Sequence, residues 1–179
     1  FANPYTPFLD RLFAAWSQWI PLRDTAKKLT SGHTPLRHDL ETGDCSFITV
    51  ECVDPLILDK TKSKRVWRSQ VEGELRRVKL QKGDVLITIK RRIANSAPLL
   101  EDVEPSAANQ DVAVYTPKDG FLPGYIAAVL SSRIGKYQAY RRQTEQINPY
   151  ISVGSLGNVL IPVVAPTIQR RIENAVRDV

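Results

Sequence analysis

Apolar side chains recur at helical spacing at the start of the chain. Phe8, Leu9, Leu12, Phe13, Trp16 and Trp19 follow one another until Pro21 stops the run. Thr6-Pro7 reads as an N-cap followed by proline at the first helical position. The pattern predicts an amphipathic opening helix. From Leu22 to about Val114 the helical period is lost and short β-rich runs replace it: Phe47-Ile48-Thr49-Val50, Val85-Leu86-Ile87-Thr88-Ile89 and Val112-Ala113-Val114-Tyr115. Turn residues separate them at Ser31-Gly32, Thr42-Gly43-Asp44 and Lys82-Gly83-Asp84. After Pro123-Gly124 the helical period returns from Tyr125 to Tyr140, with Tyr125, Ile126, Val129, Leu130 and Ile134 on one side. A short strand at Val159-Leu160-Ile161 ends at Pro162. Pro166 then opens a last helix in which Ile168, Ile172, Ala175 and Val179 repeat at heptad-like spacing. No internal repeat is visible.

A chain of 179 residues fits one domain, or one domain with a helical extension. A hydrophobic content of 42% is that of a globular chain, which sets disorder aside. No apolar run approaches the roughly 20 residues a membrane span needs, and no charged segment leads into a signal-like apolar core, so a cytoplasmic location is expected. Two cysteines, Cys45 and Cys52, make no disulfide framework. The chain has no methionine and begins at Phe1, which leads us to expect that polypeptide preceded it.

Charge changes the picture more than composition does. Lys60, Lys62, Lys64, Arg65, Arg68, Arg76, Arg77, Lys79, Lys82, Lys90, Arg91 and Arg92 face only Glu72, Glu74 and Asp84 within the same stretch. That stretch carries +9 in a chain of net +6, so the remainder is −3. A local field of one sign is what a polyanion senses, although a solvated strand face gives the same pattern. Trp67, Tyr137 and Tyr140 lie among basic residues and fit either base stacking or buried anchoring.

Residue types argue against catalysis. Asn3-Pro4-Tyr5 and Asn148-Pro149-Tyr150 are each one proline short of the motif that grips a flipped adenine, and no glycine-rich loop follows a strand to hold a cofactor. A turn leading into a helix accounts for the first and an ordinary Asn-Pro turn for the second. A divalent-metal nuclease wants an acid two residues before a lysine at a strand end, whereas Thr88-Ile89-Lys90 offers threonine. His33, His38, Cys45 and Cys52 have the types for a tetrahedral zinc site but lack the tight pairs that mark one. With two histidines and no serine in a nucleophile elbow, a triad has no support.

The order of segments carries a resemblance. Trp19 precedes a short apolar stretch and then Ser31-Gly32-His33-Thr34-Pro35, followed by Phe47-Ile48-Thr49. Next come Lys82-Gly83-Asp84-Val85-Leu86-Ile87, Asn109-Gln110-Asp111 before a strand, and Tyr125 to Ser132 as a helix. Leu156, Ile161-Pro162, Pro166, Ile168, Gln169 and Ile172 close the series. In this order the segments resemble one target-recognition half of a specificity subunit of a type I restriction-modification system. One departure stands out: Lys90-Arg91-Arg92 occupies the place where the family often has glycines.

The resemblance implies an α+β domain over residues 1–165 with a twisted, mostly antiparallel β core and an N-terminal amphipathic helix. Residues 166–179 would begin a coiled-coil spacer helix. It also implies double-stranded DNA as ligand, modification (methyltransferase) subunits and a restriction subunit as partners, a homodimer through the C-terminal helix, and no cofactor or metal of its own. Lys62, Lys64, Arg65, Arg68, Lys90, Arg91 and Arg92 are expected to contact DNA, chiefly at phosphates. Gln70, Arg76 and Arg77 have the side-chain geometry for base edges, and Asn109 and Gln110 are read as securing a loop. Two alternatives compete: a C-terminal recognition domain cut from a single-chain restriction-methyltransferase, and a module that docks a methyltransferase without reading sequence. RNA binding comes third.

Overall fold

A computed structural model describes residues 5–36, 41–144 and 147–179. The opening helix α1 (Thr6–Ala15) has Pro7 in its first turn and is followed by strand β1 (Trp19–Pro21). Strands β2 (Ala26–Ser31), β3 (Cys45–Ile48), β4 (Val53–Asp54), β5 (Ile57–Leu58) and β6 (Lys64–Val66) lead into the short helix α2 (Arg68–Glu72). A helical turn at Arg76–Val78 then precedes β7 (Val85–Thr88), β8 (Ser96–Pro98), β9 (Ser106–Ala108) and β10 (Val112–Pro117). Helices α3 (Pro123–Ser131), α4 (Arg133–Arg142) and α5 (Val153–Gly157), strand β11 (Leu160–Pro162) and helix α6 (Pro166–Arg177) complete the order.

The result is an α+β fold with mostly antiparallel sheets, as expected from the sequence. The central sheet has the order β2-β10-β7-β8 and is antiparallel throughout. A second sheet, β6-β3-β9, contains the one parallel pairing among the named strands, β3 with β9. Strands β7 and β10 are apolar on both faces because the sheet is covered on both sides. Val85, Ile87, Ala113 and Tyr115 face the helical layer with Tyr125, Ile126 and Leu130. Leu86, Val112 and Val114 face Ile48, Val53 and Leu99. Fully burying each large apolar side chain contributes about 1.5–3 kcal/mol, so this two-sided sheet is the main source of stability. The two buried phenols are satisfied: Tyr115 donates to the Thr25 carbonyl at 2.9 Å and Tyr125 to that of Pro162 at 2.5 Å. Burial pushes both phenol pKa values up to about 12.

Two expectations need correction. Trp19 is not helical: α1 stops at Ala15, and Trp19 to Pro21 pair antiparallel with Pro162 to Leu160. Trp19 still reaches back to the helix, because its indole N–H donates to the Trp16 carbonyl and its ring meets Phe13 edge-on. The segment read as one helix from Tyr125 to Tyr140 is two helices. Ser132 is extended, and its hydroxyl accepts from the Ile134 N–H to start α4.

Backbone approach explains several glycines. A Cβ on Gly32 would lie 2.0 Å from the Asn109 carbonyl oxygen, since the 32–33 backbone crosses directly over the β9–β10 turn. Gly32 donates to Val112 and His33 to Ala108. The C-terminal helix docks in the same manner: a Cβ on Gly124 of α3 would lie 2.8 Å from the Glu173 side chain of α6. The Glu173 carboxylate accepts from the Gly124 N–H at 2.9 Å, and the buried Gln169 bridges Leu122 and Gly120. Gln169, Ile172, Glu173 and Val176 therefore face the domain, leaving Ile168 and Ala175 on the outer side, while Val179 lies past the helix end and lines a hollow with Leu56 and Val176.

Candidate nucleic-acid interface

The basic stretch divides into two groups with different surroundings. In the first, Lys62, Lys90, Arg91 and Arg92 sit against acids contributed by other parts of the chain. Lys62 lies 3.0 Å from Asp59 and 3.4 Å from Asp54; Lys90 lies 2.6 Å from Asp111. Arg91 lies 2.7 Å from Glu51 and Arg92 2.5 Å from Asp54. The β7–β8 turn that presents these arginines places Arg91 at φ +58 and Ala94 at φ +63, a left-handed conformation that glycine takes most readily.

Two of these acids, Asp59 and Glu51, are held in their charged form by local donors. The Thr61 hydroxyl, and then Lys62, hold the Asp59 carboxyl below the usual range. For Glu51 the Thr49 hydroxyl acts first, with Arg91 and Arg92 adding to it. Lys62 is pushed up by the same contacts with Asp59 and Asp54. Lys90 also lies over the Tyr150 ring at 5.9 Å, where the Asn148-Pro149 bend brings Tyr150 into a bridge with Lys90.

The second group is Lys64, Arg65, Arg68, Gln70, Arg76 and Arg77, carried by β6, α2 and the Arg76–Val78 turn. A small core of Phe47, Val66, Val71, Leu75 and Val78 fixes these three pieces against β3 and β9. Within β6, Val66 points into that core, so Arg65 points to the other face. Arg65 donates to the Gly43 carbonyl at 3.2 Å, and Arg77 donates to the Thr30 hydroxyl on β2. Arg68 is the exception that meets an acid: its backbone N–H donates to Asp44 at 2.7 Å, with its guanidinium 3.8 Å away. That backbone hydrogen bond is the main reason the Asp44 carboxyl is held below the usual range. Among the described residues, Lys64, Arg65, Arg76 and Arg77 have no carboxylate partner. Gln70 is engaged locally, accepting from the Trp67 N–H at 2.9 Å and donating to Glu74 at 3.4 Å.

Other positions singled out from sequence serve the scaffold. Asp84 is buried, accepting from the Gln81 N–H and the Thr116 hydroxyl with Lys28 at 3.8 Å, and burial pushes its carboxyl up. It closes the turn in which Gly83 has φ +90, which accounts for the Gly-Asp lead into β7. The Asn109 side chain accepts from the Asp111 N–H and secures the β9–β10 turn. Cys45 and Cys52 are free, buried and in separate apolar clusters, and His33 is exposed. His38 and Asn3-Pro4 lie outside the described residues. Among the described residues there is no group of three or more potential metal ligands, and no helix is long and apolar enough to cross a membrane.

No protein-family model matches the chain, and no curated protein matches it in sequence. Solved structures do. A chain from a structure on complex assembly and conformational transition of the type I restriction-modification system aligns with a TM-score of 0.63 at 18% identity, covering 96% of this chain and 43% of that one. The HsdS subunit from Thermoanaerobacter tengcongensis aligns with a TM-score of 0.58 at 18% identity, covering 90% and 36% respectively. For the type I S subunit from M. genitalium the values are 0.60, 12%, 88% and 37%. The type IIG restriction endonuclease BpuSI aligns at 0.63 with 11% identity, covering 98% of this chain and 28% of that one. The chain thus spans less than half the length of each. Over most of its length it has the fold of the specificity subunits of type I restriction-modification systems.

Proposed function

We propose that this chain recognises double-stranded DNA as the specificity module of a restriction-modification system, reading one half of a split site. The observation that carries the reading is the agreement in fold with type I specificity subunits along nearly the whole chain. In support, cations without carboxylate partners among the described residues stand on β6 and on the Arg76–Val78 turn. Lys64, Arg65, Arg76 and Arg77 set register on phosphates, at which point a backbone carbonyl and a hydroxyl are released in exchange. Arg68, Lys62, Lys90, Arg91 and Arg92 join only where a phosphate displaces the acid each one holds. Gln70 reaches a base edge only by giving up its hold on α2.

In this reading the module is not itself an enzyme and holds no cofactor. Modification subunits carry out methyl transfer and a restriction subunit cleavage. Residues 166–179 begin a spacer helix whose outer side, with Ile168 and Ala175, faces a second helix or a second copy. The likeness to BpuSI favours a second reading, a recognition domain within a single-chain restriction enzyme. Both readings share the DNA-binding role.

The test is retention of a randomised duplex pool by the chain, with and without a methyltransferase partner, followed by sequencing. Enrichment of a short half-site of roughly three to five base pairs is expected from direct groove readout. Retention without enrichment, or none without the partner, would favour a docking module.

A further inference from the structure

The indole of Trp67 is 54% exposed where the chain passes from β6 into α2. Its neighbours Val66 and Val71 are buried in the small core, and the Trp67 backbone N–H is taken by Gln70, so the fold uses the backbone here and not the ring. A single exposed aromatic needs no explanation on its own. The surroundings of this one do. Arg65, on β6, lies two residues before it, and Arg68, the first residue of α2, follows it directly. Both are anchored on one turn: Arg65 on the Gly43 carbonyl and Arg68 on the Asp44 carboxylate. That turn is pressed against β6, since a Cβ on Gly43 would lie 2.3 Å from the Val66 carbonyl oxygen. The two arginines that bracket Trp67 in sequence are thus tied to one and the same turn.

A second exposed apolar residue is tied through its backbone to the segment that follows Trp67. Leu36 is 91% exposed, and its backbone N–H donates to Glu74, which also accepts from Gln70. Trp16, the other exposed tryptophan, differs: it borders a small apolar hollow with Leu12, Trp19, Ile134 and Pro162 and has no such cations around it.

An exposed aromatic beside anchored cations fits a base at a duplex step that binding opens, as apolar side chains wedge into kinked steps, with the adjoining phosphates left for the cations. We infer that Trp67 packs against a nucleobase of bound DNA, with Arg65 and Arg68 on the adjoining phosphates. The inference rests on the DNA-recognition reading above and names a contact that reading does not require.

The test compares the wild-type chain with Trp67→Ala, Trp67→Phe and Lys64→Ala. Binding to a labelled duplex pool is measured across salt concentrations, and intrinsic tryptophan emission is followed as DNA is added. Melting curves matching the wild type establish that the variants are folded, as an exposed side chain allows. Trp67→Ala is expected to weaken binding about 10- to 100-fold, in line with alanine replacement of a base-stacking aromatic, without changing the salt slope. Trp67→Phe should recover most of the affinity and lose most of the DNA-induced quenching seen in the wild type. Lys64→Ala should instead lower the slope by about one unit. Wild-type affinity in Trp67→Ala together with unchanged quenching in Trp67→Phe would overturn the inference and leave DNA recognition standing. Absence of DNA binding by the wild type would remove the reading on which the inference rests, and would assign the exposed ring to a protein partner.

Discussion

Two groups of cations come from one basic stretch of sequence, and the fold treats them in opposite ways. Lys62, Lys90, Arg91 and Arg92 each meet a carboxylate within 3.0 Å, from Asp59, Asp111, Glu51 and Asp54 respectively. Lys64, Arg65, Arg76 and Arg77 meet a carbonyl, a hydroxyl or solvent among the described residues. A phosphate approaching the first group must compete with a carboxylate already in place. One approaching the second must displace at most a neutral acceptor. Exposed ion pairs contribute only about 0–1 kcal/mol to stability, so the shield is weak as a structural device yet sufficient to reduce the local field. The comparison teaches that a run of like charge marks where cations are, whereas availability is decided by acids brought in from elsewhere.

The largest effect should follow from emptying the open group. Replacing Lys64, Arg65, Arg76 and Arg77 together by alanine is expected to lower duplex affinity by roughly two to three orders of magnitude near physiological salt, measured by fluorescence anisotropy. The same treatment of Lys62, Lys90, Arg91 and Arg92 should lower affinity by less than about tenfold, since it removes no direct phosphate contact and only unmasks Asp59, Asp111, Glu51 and Asp54, whose repulsion of the duplex salt screens. Equal losses would break the distinction between the groups.

The scaffold beneath the open group offers the next test. Gly32→Ala puts a Cβ onto the Asn109 carbonyl and disturbs the crossing between β2, which holds Arg77 through Thr30, and the loop that reaches Glu74 through Leu36. A loss of about 3 kcal/mol is expected in denaturant unfolding, as in other overpacked sites. Asp54→Asn sharpens the comparison from the other side: it frees Arg92 and half of the Lys62 contacts, and duplex affinity should rise by about two- to fivefold.

The smallest expected effect is on pH. Glu51 and Asp59 titrate below the ordinary carboxylate range, so the stabilisation from their pairs is present above that range and lost as pH falls through their lowered folded values. Asp84 has the opposite sign: burial raises its carboxyl, so its contribution favours the fold at low pH and declines as pH rises through its folded value. Glu51 and Asp59 therefore stay charged above that range, and the ratio of affinities between the two alanine variants should be flat between about pH 5 and 8.

Much of the scaffold was legible in the sequence because strong periodicity survives tertiary context. The apolar runs at Val85 and Val112 became the two central strands, and Pro166 opened the last helix where expected. The failures have physical causes. Trp19 sat at helical spacing, but its backbone is claimed by a strand more than a hundred residues away, which no local pattern reports. The break between α3 and α4 was hidden because Ser132 interrupts the hydrogen bonding without interrupting the apolar period. Strand β2 reads as Ala-Lys-Lys-Leu-Thr-Ser, too polar to announce itself, and is held by its pairing with β10. At the site, the cations were visible by residue type. Their division was not, because Glu51, Asp54, Asp59 and Asp111 lie outside the run of basic residues and reach it only through the turns after β3, β4, β5 and β9.

The most direct test of the central claim, that the open group carries duplex recognition, is the salt dependence of DNA affinity for the wild-type chain and the two fourfold alanine variants. We expect the slope of log affinity against log salt to fall by about 3 to 4 for the variant lacking Lys64, Arg65, Arg76 and Arg77, and by less than about 1 for the variant lacking Lys62, Lys90, Arg91 and Arg92. A slope lost equally in both, or lost mainly in the second, would contradict the claim.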